Sequence, residues 1–312
     1  MEIRIGVAHR GAGIAPLFAA VEGGYFHEQG LEPKLVPCPG HPRALEALIA
    51  GEVDFINTVG PELVLANLQH SGDAVVIASA ISRSAQQVSA RPGLSTREDL
   101  RGRRWGVVAR KDADECAIVM AFDRWGWNLA RDAEIVVVGA DQPRLTALLD
   151  AKRVDVAIMH APEPFQAAKR GWNLVEDLGR LDVAFQNSCA AATRRLIARQ
   201  PDAVLGYVRA YAQGVYRFRT DAAFGVALLR KYTGELDPMV IDETWVLFAR
   251  LMGGMMFPSL EGMRSVLHVL NRLDAVPGTL GPDGFVDFEP VATLEREGFF
   301  GRFMAGAVLK VV

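Results

Sequence analysis

Along residues 44–62, ALEALIAGEVDFINTVGPE, Leu45, Leu48 and Ile49 recur at helical spacing and predict a short amphipathic helix. Gly51 ends it, and Val53, Phe55 and Ile56 then predict a buried strand. The strand leads into Asn57-Thr58-Val59-Gly60-Pro61-Glu62, a polar loop punctuated by Gly and Pro that opens the next helix. In open α/β sheets, ligands bind at the loops beyond the carboxyl ends of strands. The stretch therefore reads as helix, strand and candidate binding loop in one run.

Residues 144–164, RLTALLDAKRVDVAIMHAPEP, repeat that order. Val154-Asp155 answers Val53-Asp54 at an offset of about 100 residues, and Arg104-Trp105-Gly106-Val107 answers Arg4-Ile5-Gly6-Val7. Residues 134–138 answer 33–37 in the same way. Two similar α/β units predict two lobes offering their strand-end loops to one cleft.

The rest of the pattern fills in around these units. Strands are expected at 3–8, 31–37, 74–79, 104–109 and 171–175, and a strand at 185–192 returns to the first lobe. Pro16 starts a helix where its missing N–H costs nothing, and Gly23-Gly24 ends it. Helices are further expected at 63–69 and from Cys116 to Trp125, and residues 94–102 form a Ser/Thr-capped turn. Residues 81–84 look like a crossing point between lobes. Beyond Thr193 the pattern is helical at 203–219, 222–232, 241–251 and 260–273, and 285–288 is a short edge strand in an otherwise irregular tail.

The chain of 312 residues has room for two domains, and its 50% hydrophobic and 23% charged residues are ordinary globular usage. A formal charge of −3 carries no footprint for nucleic acid or an anionic membrane. Cys38, Cys116 and Cys189 form no CxxC pair, so neither a zinc signature nor a disulfide framework is expected. No run is long and apolar enough to span a bilayer, and Glu2-Ile3-Arg4-Ile5 is already strand-like, without a basic n-region. Two locations stay open: cytoplasmic if Met1 is the native start, periplasmic or cell-surface if a leader was removed.

Four segments in order, IAPLFAAVEGGYFHEQGLEPKLVP, ALEALIAGEVDF, LSTREDLRGRRWGV and ALLDAKRVDVAIMHAPEP, resemble periplasmic solute-binding proteins of the nitrate/sulfonate/taurine and thiamine-precursor type. Pro16, Leu17, Ala20, Glu22, Gly24, Tyr25, Phe26, Gly30 and Leu31 match the first motif of that family. Ala47, Leu48, Gly51 and Asp54 match the second, and Asp99, Leu100, Gly102, Gly106 and Val107 the third. The resemblance covers about residues 3–215. It implies the type II periplasmic-binding-protein fold, with two doubly wound lobes closing like a hinge and a helical C-terminal portion. Residues 1–83 with 189–312 would form a discontinuous first lobe, and 84–188 the second. Enzymes share this fold, so function does not follow from it. The cysteine-rich iron motif of the pyrimidine-synthase relatives is absent here, and the loop after the first strand lacks the nucleophilic cysteine of the desulfinase relatives.

Candidate ligand contacts come from the strand-end loops: His9, Arg10, Gly11 and Ala12; His41; Asn57, Thr58 and Gly60; Arg83; Arg110, Lys111 and Asp112; His160 and Glu163. Helix-start N–H groups there favour an anion, and Arg10 or Arg110 would add a bidentate fork unless it is a solvated surface charge. His9, His41 and His160 lie in three different loops, but no two have metal-ligand spacing, so a hydrogen-bonding role is expected and no metal. Cys116 near a helix start could be nucleophilic, yet Ile118, Val119 and Phe122 place it on a buried face. Glu62 and Glu163 follow prolines in equivalent loops and could face one another across the cleft. Phe165 is the aromatic expected to touch a ligand, and Met252–Met256 a helix end packed by adaptable side chains.

The resulting expectation is a monomer that binds a small organic solute (a sulfonate, carboxylate or pyrimidine-like compound) without a cofactor. It would deliver the solute to the membrane subunits of an ABC-type importer. The alternative is a cytoplasmic enzyme on the same fold, acting on an aromatic or heterocyclic acid.

Overall fold

The computed structural model describes residues 1–139, 147 and 151–304. The expected helix from Arg144 and the end of the chain from residue 305 lie outside the described residues. Among the described residues ten strands build two sheets: β1 (Glu2–Val7), β2 (Glu32–Pro37), β3 (Phe55–Thr58), β4 (Ala74–Ser79), β5 (Gln87–Ala90), β6 (Arg103–Val107), β7 (Ala133–Val137), β8 (Val156–Met159), β9 (Asn173–Asp177) and β10 (Cys189–Thr193). The first sheet runs β2-β1-β3-β10-β4 and the second β7-β6-β8-β5-β9. Replacing β1, β2, β3, β10 and β4 by β6, β7, β8, β5 and β9 converts one order into the other. In each sheet the first three strands are parallel and the fourth is antiparallel to both neighbours. This is the two-lobed α/β architecture with a helical C-terminal portion that the repeat predicts.

The repeated V-D motif has a structural job. Asp54, just before β3, accepts from the Arg4 backbone N–H at 2.7 Å and from its guanidinium at 2.7 and 3.1 Å. Asp155 before β8 accepts the same set from Arg104, at 3.3, 3.0 and 3.2 Å, and adds Arg91 Nε at 2.8 Å. Each carboxylate fixes where its strand enters the sheet.

Period-2 alternation divides the first sheet between two cores. Ile3, Ile5, Phe55, Val75 and Ile77 face helices Ala15–Glu22 and Pro201–Thr220. Ile56, Val76 and Ala191 face the other way, into a core that continues through helix Ala113–Trp125 to Trp105 and Val156 of the second sheet. Helices Gly60–His70 and Leu260–Arg272 pack into that shared core. Gly51 at φ 77° ends helix His41–Ala50 in the left-handed region, as glycine does without a steric cost. Among the described residues no helix is long and apolar enough to cross a membrane.

The helices Ala15–Glu22 and Pro201–Thr220 touch through Gly214. A Cβ there would lie 2.4 Å from the Pro16 carbonyl oxygen and 2.7 Å from the Ala20 nitrogen, both backbone atoms that cannot swing aside. Gly214→Ala gains about 1 kcal/mol of helix propensity but should lose up to about 3 kcal/mol to overpacking. A net fall in the urea midpoint is the expected result; an unchanged or raised midpoint would show that the two helices separate freely.

The chain crosses between lobes twice, and the two segments pair with each other. Phe185 N–H donates to Ser82 O at 3.0 Å, Asn187 N–H to Ile81 O at 3.2 Å, and Ile81 N–H to Ser188 O at 3.1 Å. Arg83 and Ala184 form the bridge between them. The expected strand at 185–192 is therefore shortened to β10, because residues 185–188 serve the crossing. Gln86, Gln186, Asn187 and Ser188 are buried there, and Gln86 Oε1 accepts from Ser84 Oγ at 2.6 Å and Asn187 Nδ2 at 3.3 Å. The expected edge strand at 285–288 is reduced to a 3₁₀ turn, Pro282–Phe285, and one bridge from Val286 to Val76. Gly281, Pro282 and Gly284 interrupt the extended run.

Candidate functional site

The cleft is walled by loops from both sheets, and three histidines meet in it. His9 follows β1, His41 opens the helix after β2, and His160 follows β8. The His9 and His41 rings lie edge to face with centroids 5.2 Å apart. His9 Nδ1 accepts the Gly11 N–H at 2.9 Å, which leaves Nε2 to carry the ring's donor when neutral. A Cβ on Gly11 would sit 3.0 Å from that Nδ1, so glycine permits the contact. His41 Nδ1 is a buried atom with no hydrogen-bond partner among the described residues.

His160 Nε2 meets Asp114 Oδ1 at 2.7 Å. Burial works against a charge on His160, but the Asp114 carboxylate outweighs it and lifts the imidazole to about 9. Burial, reinforced by the His160 charge, pulls His9 down to about 4. Burial and then the His9 and His160 charges pull His41 down to about 3. Water reaches these rings, the His160 side chain being 40% exposed, but protein surrounds them on most sides, so charge is costly. At neutral pH the cleft thus holds one cationic imidazole and two neutral ones. That the two first-sheet histidines feel the charge of His160 sets the loops of the two lobes face to face.

Other expected contacts divide sharply. Arg10 follows His9 in the loop after β1 and is exposed, its charge reaches Tyr232, and no ion pair engages it among the described residues. Ala12 begins a 3₁₀ turn, Ala12–Ile14, whose start has no side-chain cap and whose Ile14 N–H donates to Gly11 O at 3.2 Å. Glu163 opens helix Glu163–Lys169 next to His160, and its charge supports that imidazolium.

Asn57 departs from the expectation: its Nδ2 donates to Tyr211 Oη at 2.8 Å, and its Oδ1 accepts from Tyr207 Oη at 3.4 Å, beneath the cleft. Thr58 is buried, and Gly60 gives its N–H to Gln186 O at 2.8 Å where a Cβ would not fit. Arg83 is exposed on the crossing segment. Arg110 is not a free fork, because Nη2 and Nε hold Glu115 at 2.7 and 3.0 Å. Lys111, at φ 65°, reaches Asp274 O at 3.1 Å. Asp112 caps helix Ala113–Trp125 by accepting from Asp114 N and Glu115 N. Burial and then the neighbouring Asp114 raise the Asp112 carboxyl to about 7.

Asp114 and Glu115 were not anticipated as partners. The signal was there in Asp112-Ala113-Asp114-Glu115, which carries more acid than one cap requires. Alternation likewise puts Asn57 on the face of Phe55 and so toward helix Pro201–Thr220, away from the cleft. Cys116 is fully buried, and burial followed by the nearby carboxylates raises its thiol well above the ordinary range, which removes it as a nucleophile. Phe165 packs partly buried against the first core. No group of three or more side chains suited to a metal occurs among the described residues. A separate concavity of about 490 Å³ opens behind the cleft, between helices Ala113–Trp125 and Leu260–Arg272, with Arg124, Arg264 and His268 in its wall.

Solved structures share this fold. The periplasmic aliphatic sulphonate binding protein SsuA from Escherichia coli is 17% identical with a TM-score of 0.75, over 92% of each chain. The ligand binding component of an ABC-type import system from Staphylococcus aureus, solved with zinc bound, is 13% identical with a TM-score of 0.77, over 94% of this chain and 98% of that one. The periplasmic nitrate-binding protein NrtA from Synechocystis PCC 6803 is 12% identical with a TM-score of 0.68, over 100% of this chain and 89% of that one. At such identities the likeness establishes the fold. No curated protein matches the sequence. The NMT1/THI5-like family model matches residues 12–221, well over half of the chain, and the protein belongs to that family.

Proposed function

We propose that the protein binds one small organic solute bearing an anionic group in the cleft between its lobes and delivers it to an ABC-type importer. The observation that carries this reading is the meeting of a cationic His160 with neutral His9 and His41 in one cleft, with exposed Arg10 next to His9 in the chain. One fixed positive charge with neutral donors around it suits a sulfonate, a carboxylate or an anionic pyrimidine precursor. Ala12 and Glu163 complete the proposed contacts. Residues 1–83 with the C-terminal helices, and 84–188, would be the bodies that close on the solute. The protein would act as a monomer outside the cytoplasmic membrane, like the periplasmic proteins whose fold it shares.

The test is a thermal-shift screen against sulfonates, nitrate, aromatic carboxylates and pyrimidine precursors, followed by mass spectrometry of each hit. A ligand at 100 times its Kd should stabilise the native chain by about 2.7 kcal/mol and be recovered unchanged. Affinity should fall about tenfold or more in His160→Gln, which removes a charge-assisted hydrogen bond. A hit recovered as product would sink the transport reading. It would favour an enzyme using the His160–Asp114 pair, whose 2.7 Å hydrogen bond is the observation behind that second reading.

A further inference from the structure

We propose that Glu62 is a proton-controlled latch between the lobes, bridging them while neutral and releasing them when it ionises. Glu62 belongs to the first turn of helix Gly60–His70, and its Oε1 accepts the Ala113 N–H, at the start of helix Ala113–Trp125, at 3.2 Å. Asp112 Oδ1 accepts the next two N–H groups, from Asp114 at 3.1 Å and Glu115 at 2.9 Å. The helix is therefore capped by one carboxyl of its own lobe and one from the other.

Four carboxyls crowd this helix start, and among the described residues two of them, Asp114 and Glu115, hold a cation at ion-pair distance, while the His160 charge also reaches Asp112 from farther away. Asp114 holds His160 and Glu115 holds Arg110. Glu62 Oε2 is a buried atom without a hydrogen-bond partner among the described residues, and Asp112 is spent on backbone N–H groups. On the neighbouring elements, Glu261, Arg264 and His268 of helix Leu260–Arg272 and Asp123 and Arg124 of helix Ala113–Trp125 line the separate concavity, and His70 at the far end of helix Gly60–His70 is exposed. Lys111 reaches away to Asp274 O, Arg43 on helix His41–Ala50 holds Glu46 and Glu52, and Arg272 on helix Leu260–Arg272 holds Asp123. The Cys116 and Cys189 thiols nearby are buried and neutral. A helix N-terminus favours one anion, while a second close by in a low dielectric repels it.

The geometry fixes which way protons act. Burial, then the Asp112 charge, raises Glu62 to about 8, and Asp112 stands at about 7. Below pH 7 the pair keeps at least one proton and the cross-lobe bond is unopposed. Above pH 8 both are anionic, one on each lobe, and they repel. Further links between the lobes, Lys169 with Asp237, Arg250 with Asp177, Arg272 with Asp123, Lys111 with Asp274 O and Gln166 with Glu235, are kept in every variant below. His160 titrates near 9 and its charge also reaches His9 and His41 across the cleft, but it is retained in every variant below, so its effect is common to all of them.

Small-angle scattering of the ligand-free full chain between pH 6 and 9 tests the latch and needs no solute, so the solute reading can fail without it. The wild type should hold a compact radius of gyration of about 19 Å at pH 6 and expand with a midpoint near pH 8. Glu62→Gln keeps the acceptor for Ala113 and cannot ionise, so it should remain compact to pH 9. Asp112→Asn, which still caps the helix, should do the same from the other side. A pH-independent wild type, or variants that expand at the same midpoint, would overturn the proposal.

Discussion

Tyr207→Ala should destabilise the protein by about 4 kcal/mol, a loss large enough to threaten folding. Tyr207 is fully buried on helix Pro201–Thr220 and stacks on Phe55 of β3 at 4.0 Å between centroids. It also contacts Phe26 at 5.4 Å and Tyr211 at 6.2 Å. Truncation opens a cavity walled by a strand and rigid rings, which cannot collapse around it. It also removes a hydrogen-bond partner of buried Asn57. Native proteins have a margin of only about 5–15 kcal/mol, so the urea midpoint should drop sharply. Tyr207→Phe keeps the rings together and should cost about 1 kcal/mol. Equal losses in the two variants would show that the hydroxyl, and not the packing of the ring, carries the stability.

Asp155→Ala should cost about 2 kcal/mol at neutral pH, and the loss should vanish in acid. Asp155 is buried and bound by Arg104 and Arg91, yet burial alone would raise its carboxyl. The arginines and the Arg104 backbone N–H outweigh that and hold it at about 2. Against an ordinary 3.8, a drop to about 2 corresponds to roughly 2 kcal/mol. Because the folded value is depressed, the contribution is present above about pH 4 and disappears as pH falls toward 2. Wild type and Asp155→Ala should therefore differ in chemical denaturation at pH 7 and converge near pH 2. A gap that persists at pH 2 would show that the side chain acts by packing. Asp54 binds one arginine where Asp155 binds two, so its truncation should cost less.

The repeat was legible because its causes are local. Val53-Asp54 and Val154-Asp155, each after an apolar run and before a polar loop, encode a strand entry, and they stand at equivalent points of two sheets with one strand order. The four helices expected after Thr193 follow apolar spacing and caps such as Asp221, Asp237 and Ser259 and are found within a few residues of their expected limits, whereas Arg194–Arg199 was not read as a helix and the tail expected to be irregular holds helices Glu289–Arg296 and Phe299–Met304. The shortened β10 went unread because Gln186, Asn187 and Ser188 sit in an otherwise apolar run, and groups distant in the chain satisfy them: Ser79 and Ser259 for Gln186, Gln86 for Asn187 and Gly13 for Ser188.

By itself, then, the sequence determined two α/β units, their strand-end loops and the histidines those loops carry. Hydrophobic period and turn chemistry act over a few residues and survive without knowledge of the neighbours. Only the tertiary structure decided that Asn57 turns to two tyrosines, that Arg110 is spent on Glu115, and that Glu62 caps a helix of the other lobe. It also decided that His160 is charged while His9 and His41 are neutral. Those properties depend on burial and on charges that meet through space, most of them between residues about 50 to 150 positions apart in the chain.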